Sequence, residues 1–293
     1  MDLRSLLMGL TFALAWSSAF TSARIIVAQA PPLATLSLRF LVSGLIGVLI
    51  ARALGQTWRL SREQWRSTFI FGLCQNGIYL GLFFFAMTRI EASLASIIAS
   101  TMPLMVALAG WMFMGQKLRP LALAGLAAGL GGVALIMGSR LSAGVDLTAV
   151  MLCVLGTMAL TLATLSIRKT AAGGNLLMVV GLQMFVGAAA LALVSLFTEV
   201  WVVEMSTSLV AAFVYTTIVP GLAATWIWFA LVGRIGAVKA ATFHFLNPFF
   251  GVAVAAVLLG EKLGPLDVVG VVIITLGILA VQLAKQERAP ATS

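Results

Sequence analysis

Nine stretches without a charged residue run through this chain, at 5–23, 67–88, 92–116, 120–139, 147–167, 170–198, 205–233, 240–260 and 268–284. A helix needs about 20 apolar residues to cross the roughly 30 Å hydrocarbon core of a bilayer. A tenth stretch, near 33–54, carries Arg39 in its interior. Backbone polar groups in hydrocarbon must be paired within their own segment, so spans of this kind fold as helices. The chain is read as an all-α membrane protein with ten transmembrane helices. Its charged residues are 9% of the total, against about 25% in soluble domains. A water-soluble core of such stretches would have no polar faces to offer water, and the short loops leave no room for a soluble domain. The first span is longer than the core of a secretory signal, so it is read as retained. Cys74 and Cys153 both fall inside spans, which argues against a disulfide framework.

The net charge of +9 is explained by topology rather than by nucleic acid. With the amino terminus inside, the inner side carries Arg4, Arg52, Arg59, Arg62, Arg66, Lys117, Arg119, Arg168, Lys169, Arg234, Lys239, Lys285 and Arg288. The outer side carries Arg24, Arg89, Arg140 and Lys262, with Arg39 in a span near the outer face. Lys and Arg concentrate on cytoplasmic loops. Both termini are therefore expected in the cytoplasm of a cell whose inner (plasma) membrane holds the chain, with anionic lipid headgroups as neighbours. A nucleic-acid partner is not expected, and the chain is read as a monomer.

Two phrases, "MGQKLRP" at 114–120 and "LGEKLGP" at 259–265, are nearly the same. Residues 89–135 laid on 234–280, without gaps, match at twelve of 47 positions. The matches include Pro103/Pro248, Gly115/Gly260, Lys117/Lys262, Pro120/Pro265, Gly125/Gly270 and Gly132/Gly277. A bias towards Leu and Ala cannot produce matched prolines, glycines and a lysine. A fainter echo, at an offset of 144, links Arg24 to Arg168 and Leu33 to Leu177. The chain reads as two five-span halves, 1–140 and 141–293. An odd repeat unit must invert, which places Lys117 inside and Lys262 outside. Inverted repeats of this kind are a habit of secondary transporters, with the site near the midplane. The phrase itself is a corner: Gly115 and Gly260 end one helix, and Pro120 and Pro265 begin the next.

Ten spans in two inverted halves, each with a Pro-bearing fourth span and a "G[QE]KL.P" corner, resemble the EamA-type branch of the drug/metabolite transporter superfamily. "PPLATLSLRF" at 31–40 is similar to that family's second-span opening. In overall likeness the chain resembles the YddG-type amino-acid and metabolite exporters of bacterial inner membranes. The resemblance implies a carrier of small molecules. It does not imply a substrate, because the superfamily takes amino acids, drugs, sugars and nucleotide-sugars.

Polar side chains inside a membrane are costly and face a cavity or a partner helix. At 1.5 Å rise per residue, six depths fall near the midplane. Trp16 lies about 18 Å up span 1, Asn76 about 15 Å and Tyr79 about 20 Å up span 3. Ser100 and Thr101 lie about 15 Å into span 4, Asn247 about 15 Å and His244 about 10 Å into span 9. With Trp16 as a wall, these seven side chains are the candidate substrate-binding set. The bland readings are packing for Trp16, interhelical bonding for Asn76 and backbone bonding for Ser100, Thr101, Thr161 and Thr164. Arg39 is expected to snorkel outward, or else to attract a substrate carboxylate near the outer mouth. Trp58, Trp65, Trp111 and Trp201 fit interfacial belts. Pro103 and Pro248 are expected weak points of their helices. Pro248 is expected to leave the His244 carbonyl without its usual donor.

All nine acidic residues lie in loops or at span ends, so no buried carboxylate relay is expected. A single histidine, with no carboxylate beside it, offers neither a metal site nor a nucleophile–base pair. The chain is read as no enzyme and as needing no cofactor. The small multidrug members of the superfamily use a buried glutamate that this chain lacks. The resulting expectation is an exporter of neutral or aromatic amino acids, working by alternating access without obligate ion coupling. The alternative is a proton-coupled efflux carrier for drugs or other metabolites.

Overall fold

The computed structural model describes residues 2–115, 117–166 and 175–286. Ten helices in it are long and apolar enough to cross a bilayer. Span 1 is Leu3–Val27, span 2 Pro32–Ala53, span 3 Arg62–Ala86, span 4 Ala92–Phe113 and span 5 Pro120–Ser142. Span 6 is Leu147–Leu165, span 7 Leu177–Thr198, span 8 Thr207–Ile235, span 9 Ala240–Leu259 and span 10 Pro265–Ala284. No strand occurs among the described residues. Arg168, Lys169 and Arg288, counted above as inner charges, lie outside the described residues, as does Gln116 of the first corner phrase.

The corners form as glycine and proline chemistry requires. Gly115 and Gly260 take φ of 61° and 67°, the left-handed region, where a Cβ is penalised. Pro120 and Pro265 open spans 5 and 10. Other helix starts are capped from a distance, because the first N–H groups of a helix have no partner in it. Glu199, just past span 7, accepts from the N–H of Leu33 at 2.8 Å and of Ala34 at 2.9 Å. Gln56, just past span 2, accepts from the N–H of Met178 at 3.0 Å. Glu261, just past span 9, accepts from Ala92 at 2.7 Å and Ser93 at 2.9 Å. A carboxylate at a helix N-terminus also opposes the helix dipole favourably.

The chain divides into two compact units. The first takes the described residues of Met1–Thr21, Ile90–Leu147 and Ala223–Ser293; the second takes Ser22–Arg89 and Thr148–Leu222. Each draws segments from both sequence halves, and each holds one close helix pair built on the internal repeat. In the first unit, a Cβ on Gly125 would lie 2.7 Å from the Gly277 carbonyl oxygen, and one on Gly132 would lie 2.9 Å from that of Gly270. Gly125 pairs in sequence with Gly270, and Gly132 with Gly277. Each residue thus touches the counterpart of the other, the signature of a two-fold-related contact. In the second unit the Ser37 hydroxyl donates to the Ala188 carbonyl at 2.8 Å. A Cβ on Gly44 would lie 3.1 Å from the Gly181 carbonyl oxygen. The offset of 144 pairs Ser37 with Gly181 and Gly44 with Ala188, so the pattern recurs. Small residues let membrane helices approach until backbones touch, and the gain is packing and hydrogen bonding rather than the hydrophobic effect.

Irregular helix also follows the repeat. Span 4 breaks at Thr101, between Ala92–Ser100 and Met102–Met114. Span 9 breaks at the matching place into a short helix, a 3₁₀ turn over Phe243–Leu246 and a helix from Asn247. Both breaks lie just before a proline, as expected of Pro103 and Pro248. Spans 3 and 8 each contain π-helix, over Gly72–Tyr79 and Thr217–Ala223, which begin 145 residues apart. Pro220 lies inside the second and removes a donor there. No proline marks the first.

Candidate functional site

Three of the expected site residues meet in the first unit. On span 9 the 3₁₀ turn brings His244 and Asn247 together, with the Asn247 amide nitrogen 3.0 Å from His244 Nδ1. If that nitrogen donates, Nδ1 accepts and the ring proton sits on Nε2. Asn247 Oδ1 is buried and has no partner. The pair therefore keeps two donors, His244 Nε2–H and the second amide hydrogen, and one acceptor, Asn247 Oδ1, not used by each other.

Aromatic rings surround the pair. Phe12 meets the His244 ring edge-on, with centroids 5.2 Å apart and planes at 87°. Trp16 meets it at 6.5 Å and 90°, and Trp228 at 5.2 Å and 60°. Phe12 also touches Trp16 at 5.7 Å and Trp228 at 4.9 Å. Such offset and edge-on contacts add to the burial of the rings. Phe12 is buried, whereas Trp16, Trp228 and His244 are only half-buried, leaving ring surface for another group. Behind them Leu231, Ala240 and Phe243 form a buried cluster with Met8, Val232, Ile235 and Leu246 packed on it. A Cβ on Gly9 would run into the Phe243 ring, so this glycine seats the wall against span 1.

Phe12 and Trp228 were not among the expected residues, yet both left a signal. Phe12 is four residues before Trp16 and so shares its face. Trp226 and Trp228 lie two apart, about 200° around a helix, so both cannot face the same way. Trp226 is 72% exposed and Trp228 turns onto the histidine.

One expectation about this turn is corrected. The His244 carbonyl is not left free by Pro248, because the 3₁₀ geometry lets the Asn247 N–H bond to it. A tighter turn recovers the hydrogen bond that proline removes from the α-helical pattern.

The remaining candidates are placed elsewhere or already bonded. Ser100 and Thr101, on span 4 of the same unit, donate to the Ser96 carbonyl at 2.7 Å and the Ile98 carbonyl at 2.6 Å. Asn76 and Tyr79 belong to the second unit. Asn76 donates to the Gln183 carbonyl at 3.2 Å, and a Cβ on Gly187 would collide with its own Cβ. It ties span 3 to span 7. Tyr79 is 5% exposed and packs edge-on against Phe83 at 4.7 Å. Thr161 and Thr164 bond their own helix, at 2.9 Å and 2.8 Å.

Arg39 does not snorkel. It is 8% exposed, inside the second unit. Its terminal nitrogen Nη2 lies 3.4 Å from where a Cβ on Gly221 would stand. The repeat explains the fit: Arg39 corresponds to Gln183, and Gly221 to Asn76. Bulk taken from one partner is given to the other.

Four acids of this unit are engaged at helix ends. Arg140 holds Asp267 at 2.9 Å and Glu91 at 2.6 Å, at the ends of spans 4, 5 and 10. Glu261 caps span 4, and Asp2 pairs with Arg234 at 2.6 Å. No group of three or more His, Cys, Asp or Glu able to hold a metal occurs among the described residues.

The chain matches the EamA-like transporter family twice, over residues 3–138 and again over 147–283. It belongs to that family. This EamA-family chain is 25% identical to the Uncharacterized transporter YvbV of Bacillus subtilis over 283 residues, 94% of this chain and 91% of that one. It is 27% identical to Protein PecM of Dickeya dadantii over 268 residues, 90% and 86% of the two. It is 28% identical to the Aromatic amino acid exporter YddG of Ancylobacter novellus over 134 residues, 46% of each. One solved crystal structure superposes with a TM-score of 0.68 at 21% identity, covering 98% of this chain and 100% of the other, and shares the fold. The EamA-family chain is thus a multi-pass membrane transporter.

Proposed function

We propose that this chain carries neutral, most readily aromatic, amino acids across the inner membrane and works as an exporter. The observation that carries this reading is the His244–Asn247 pair walled by Phe12, Trp16 and Trp228. Ring faces suit an apolar or aromatic side chain. The Asn247 oxygen suits an ammonium, and His244 Nε2 offers a donor. The site holds no fixed charge that would select a phosphorylated substrate. The likeness to an aromatic amino acid exporter agrees with this reading.

Transport proceeds by alternating access, with both termini in the cytoplasm. Transport runs downhill without obligate ion coupling, because no carboxylate accompanies His244. Trp16, His244 and Asn247 bind substrate directly, and Ser100 and Thr101 of the same unit shape the wall. The protein acts as a monomer among lipids, with the small-molecule substrate as its partner.

The same ring faces also suit a lipophilic cation, which keeps proton-coupled drug efflux as the second reading. Uptake of labelled phenylalanine and of a labelled lipophilic cation into proteoliposomes separates the two. Saturable phenylalanine uptake supports the proposal. Uptake of the cation alone refutes it.

A further inference from the structure

In the second unit, the stretch 52–66 that joins spans 2 and 3 gathers Arg52, Arg59, Arg62 and Arg66 against one acid, Glu63. All five are exposed. Among the described residues none of the four guanidiniums makes an ion pair; that of Arg52 lies 4.9 Å over the Trp58 ring. The repeat does not impose this charge. The counterpart stretch, 197–211, carries Glu199 and Glu204 and no Lys or Arg. Orientation by charge asks only that Lys and Arg be in excess on one side. It does not ask that they share a helix face with aromatic rings, and here two of them do.

Arg62, Trp65, Arg66 and Phe69 are spaced three and four apart along the α-helix that opens span 3, so they share one face. Trp65 is 46% exposed and Phe69 58% exposed, so the whole face is open. The start of this helix is fixed. Ser61 and Gln64 close a capping box, with bonds of 3.2 Å and 2.9 Å. The loop before it is tied to the start of span 7: the Thr57 N–H donates to Asn175 Oδ1 at 3.2 Å, and Gln56 accepts from Met178. Span 3 has 25 residues, about 37 Å of helix against roughly 30 Å of hydrocarbon. Its first turn therefore reaches the headgroups, the level that tryptophan favours, and Phe69 stands one turn deeper. Cations, an interfacial ring and an apolar ring follow one another in the order in which a phospholipid presents phosphate, glycerol and chain.

We propose that the face formed by Arg62, Trp65, Arg66 and Phe69 is a binding site for an anionic phospholipid, its phosphate held by the two guanidiniums and its chain running along Phe69. The planar fork of a guanidinium matches phosphate oxygens bidentately. A free phosphate would meet only exposed charge that salt screens. A lipid adds the contact of its glycerol and chain with the two rings, which makes the lipid the occupant. The site goes beyond the transport reading and is independent of what is carried.

Purified protein in proteoliposomes with the same lipid mixture in both leaflets is the material for the test, so the direction of insertion does not enter. The probes are phosphatidylglycerol and phosphatidylcholine, each with a diazirine on one acyl chain. Peptide mass spectrometry reads the label on the helix Arg62–Phe71. At equal mole fraction phosphatidylglycerol should label this helix about tenfold or more above phosphatidylcholine. Arg62→Gln and Arg66→Gln should each cut that preference by about fivefold. Arg59→Gln makes the same change of charge in the same loop but off the face, and should cut it by less than about twofold. Excess glycerol phosphate should displace no label. Equal labelling by the two lipids in the wild type, or a preference that survives both Arg62→Gln and Arg66→Gln, overturns the site. Equal losses in Arg59→Gln and Arg62→Gln mean diffuse attraction and overturn it too. Displacement by glycerol phosphate overturns the lipid as occupant in favour of a free phosphate.

Discussion

Gly277→Ala should destabilise the fold, whereas the same change at Gly131 should not. A Cβ on Gly277 would stand 2.6 Å from the Gly125 carbonyl oxygen, 2.7 Å from the Gly129 nitrogen and 2.9 Å from the Gly129 Cα. All three are backbone atoms, so no side chain can swing aside. Restoring an ordinary 3.4 Å contact from 2.6 Å requires the two helices to part locally by up to 0.8 Å. A gap of that size forfeits between a quarter and a half of each van der Waals contact, each about 0.1–0.2 kcal/mol. Over some 40 atom pairs this amounts to roughly 2 kcal/mol, inside the range of about 1–3 kcal/mol for overpacked cores. Replacing glycine by alanine in a helix returns up to about 1 kcal/mol. The clash wins, leaving a net loss of about 1 kcal/mol or more. A Cβ on Gly131 or Gly138, in the same span 5, meets nothing within 4 Å. There only the helix gain remains, and the sign reverses. Thermal unfolding in detergent reads the difference, at roughly 2–4 °C per kcal/mol. Gly277→Ala as stable as Gly131→Ala would refute the backbone contact between spans 5 and 10.

Arg140→Ala should cost about 3 kcal/mol, because it strands Asp267, whose side chain is 4% exposed. Glu91→Gln should cost less than about 1 kcal/mol, since Glu91 is 41% exposed; chemical denaturation ranks the two, and equal losses would remove the ion pair as the cause. Asp2 is held down to about 2 by hydrogen bonds from Ser5 and then Arg234. A carboxyl lowered in the folded state stabilises above its unfolded value and loses that contribution as pH falls from about 4 to about 2. Asp2→Asn should therefore flatten the stability–pH curve in that window, and an unchanged slope would count against the pair. Cysteine at 117 should react in intact cells only with membrane-permeant thiol reagents, while cysteine at 262 should react with impermeant ones too; equal labelling would reject the inverted topology.

Much of the fold was legible because apolar length and corner chemistry are local. The ten spans follow from the absence of charge, and Gly115, Gly260, Pro120 and Pro265 stand where their backbone preferences place them. The π-helix at Gly72–Tyr79 was not legible, since no residue type demands it and Pro220 marks only its counterpart. Nor could the sequence tell that Asn76 is occupied by span 7, which depends on Gly187 across a helix contact. Arg39 was misjudged for the same reason: whether an arginine can stay inside depends on Gly221, some 180 residues away. Trp16, His244 and Asn247 were found because each is unusual at mid-span. Phe12 and Trp228 left only a weak signal, their spacing from Trp16 and Trp226, and the ring contacts are what give them a role.

Downhill efflux of phenylalanine from proteoliposomes, with no ion gradient imposed, tests the central claim most directly. The His244–Asn247 site with its aromatic walls predicts saturable flux that a protonophore leaves unchanged. Trp16→Ala and Asn247→Ala, each folded like the wild type, should lower that flux by about tenfold or more, the effect of losing roughly 1.4 kcal/mol of binding. Full flux in both variants would contradict the site. Accumulation driven by an imposed pH gradient and lost in His244→Gln would contradict the uncoupled mechanism.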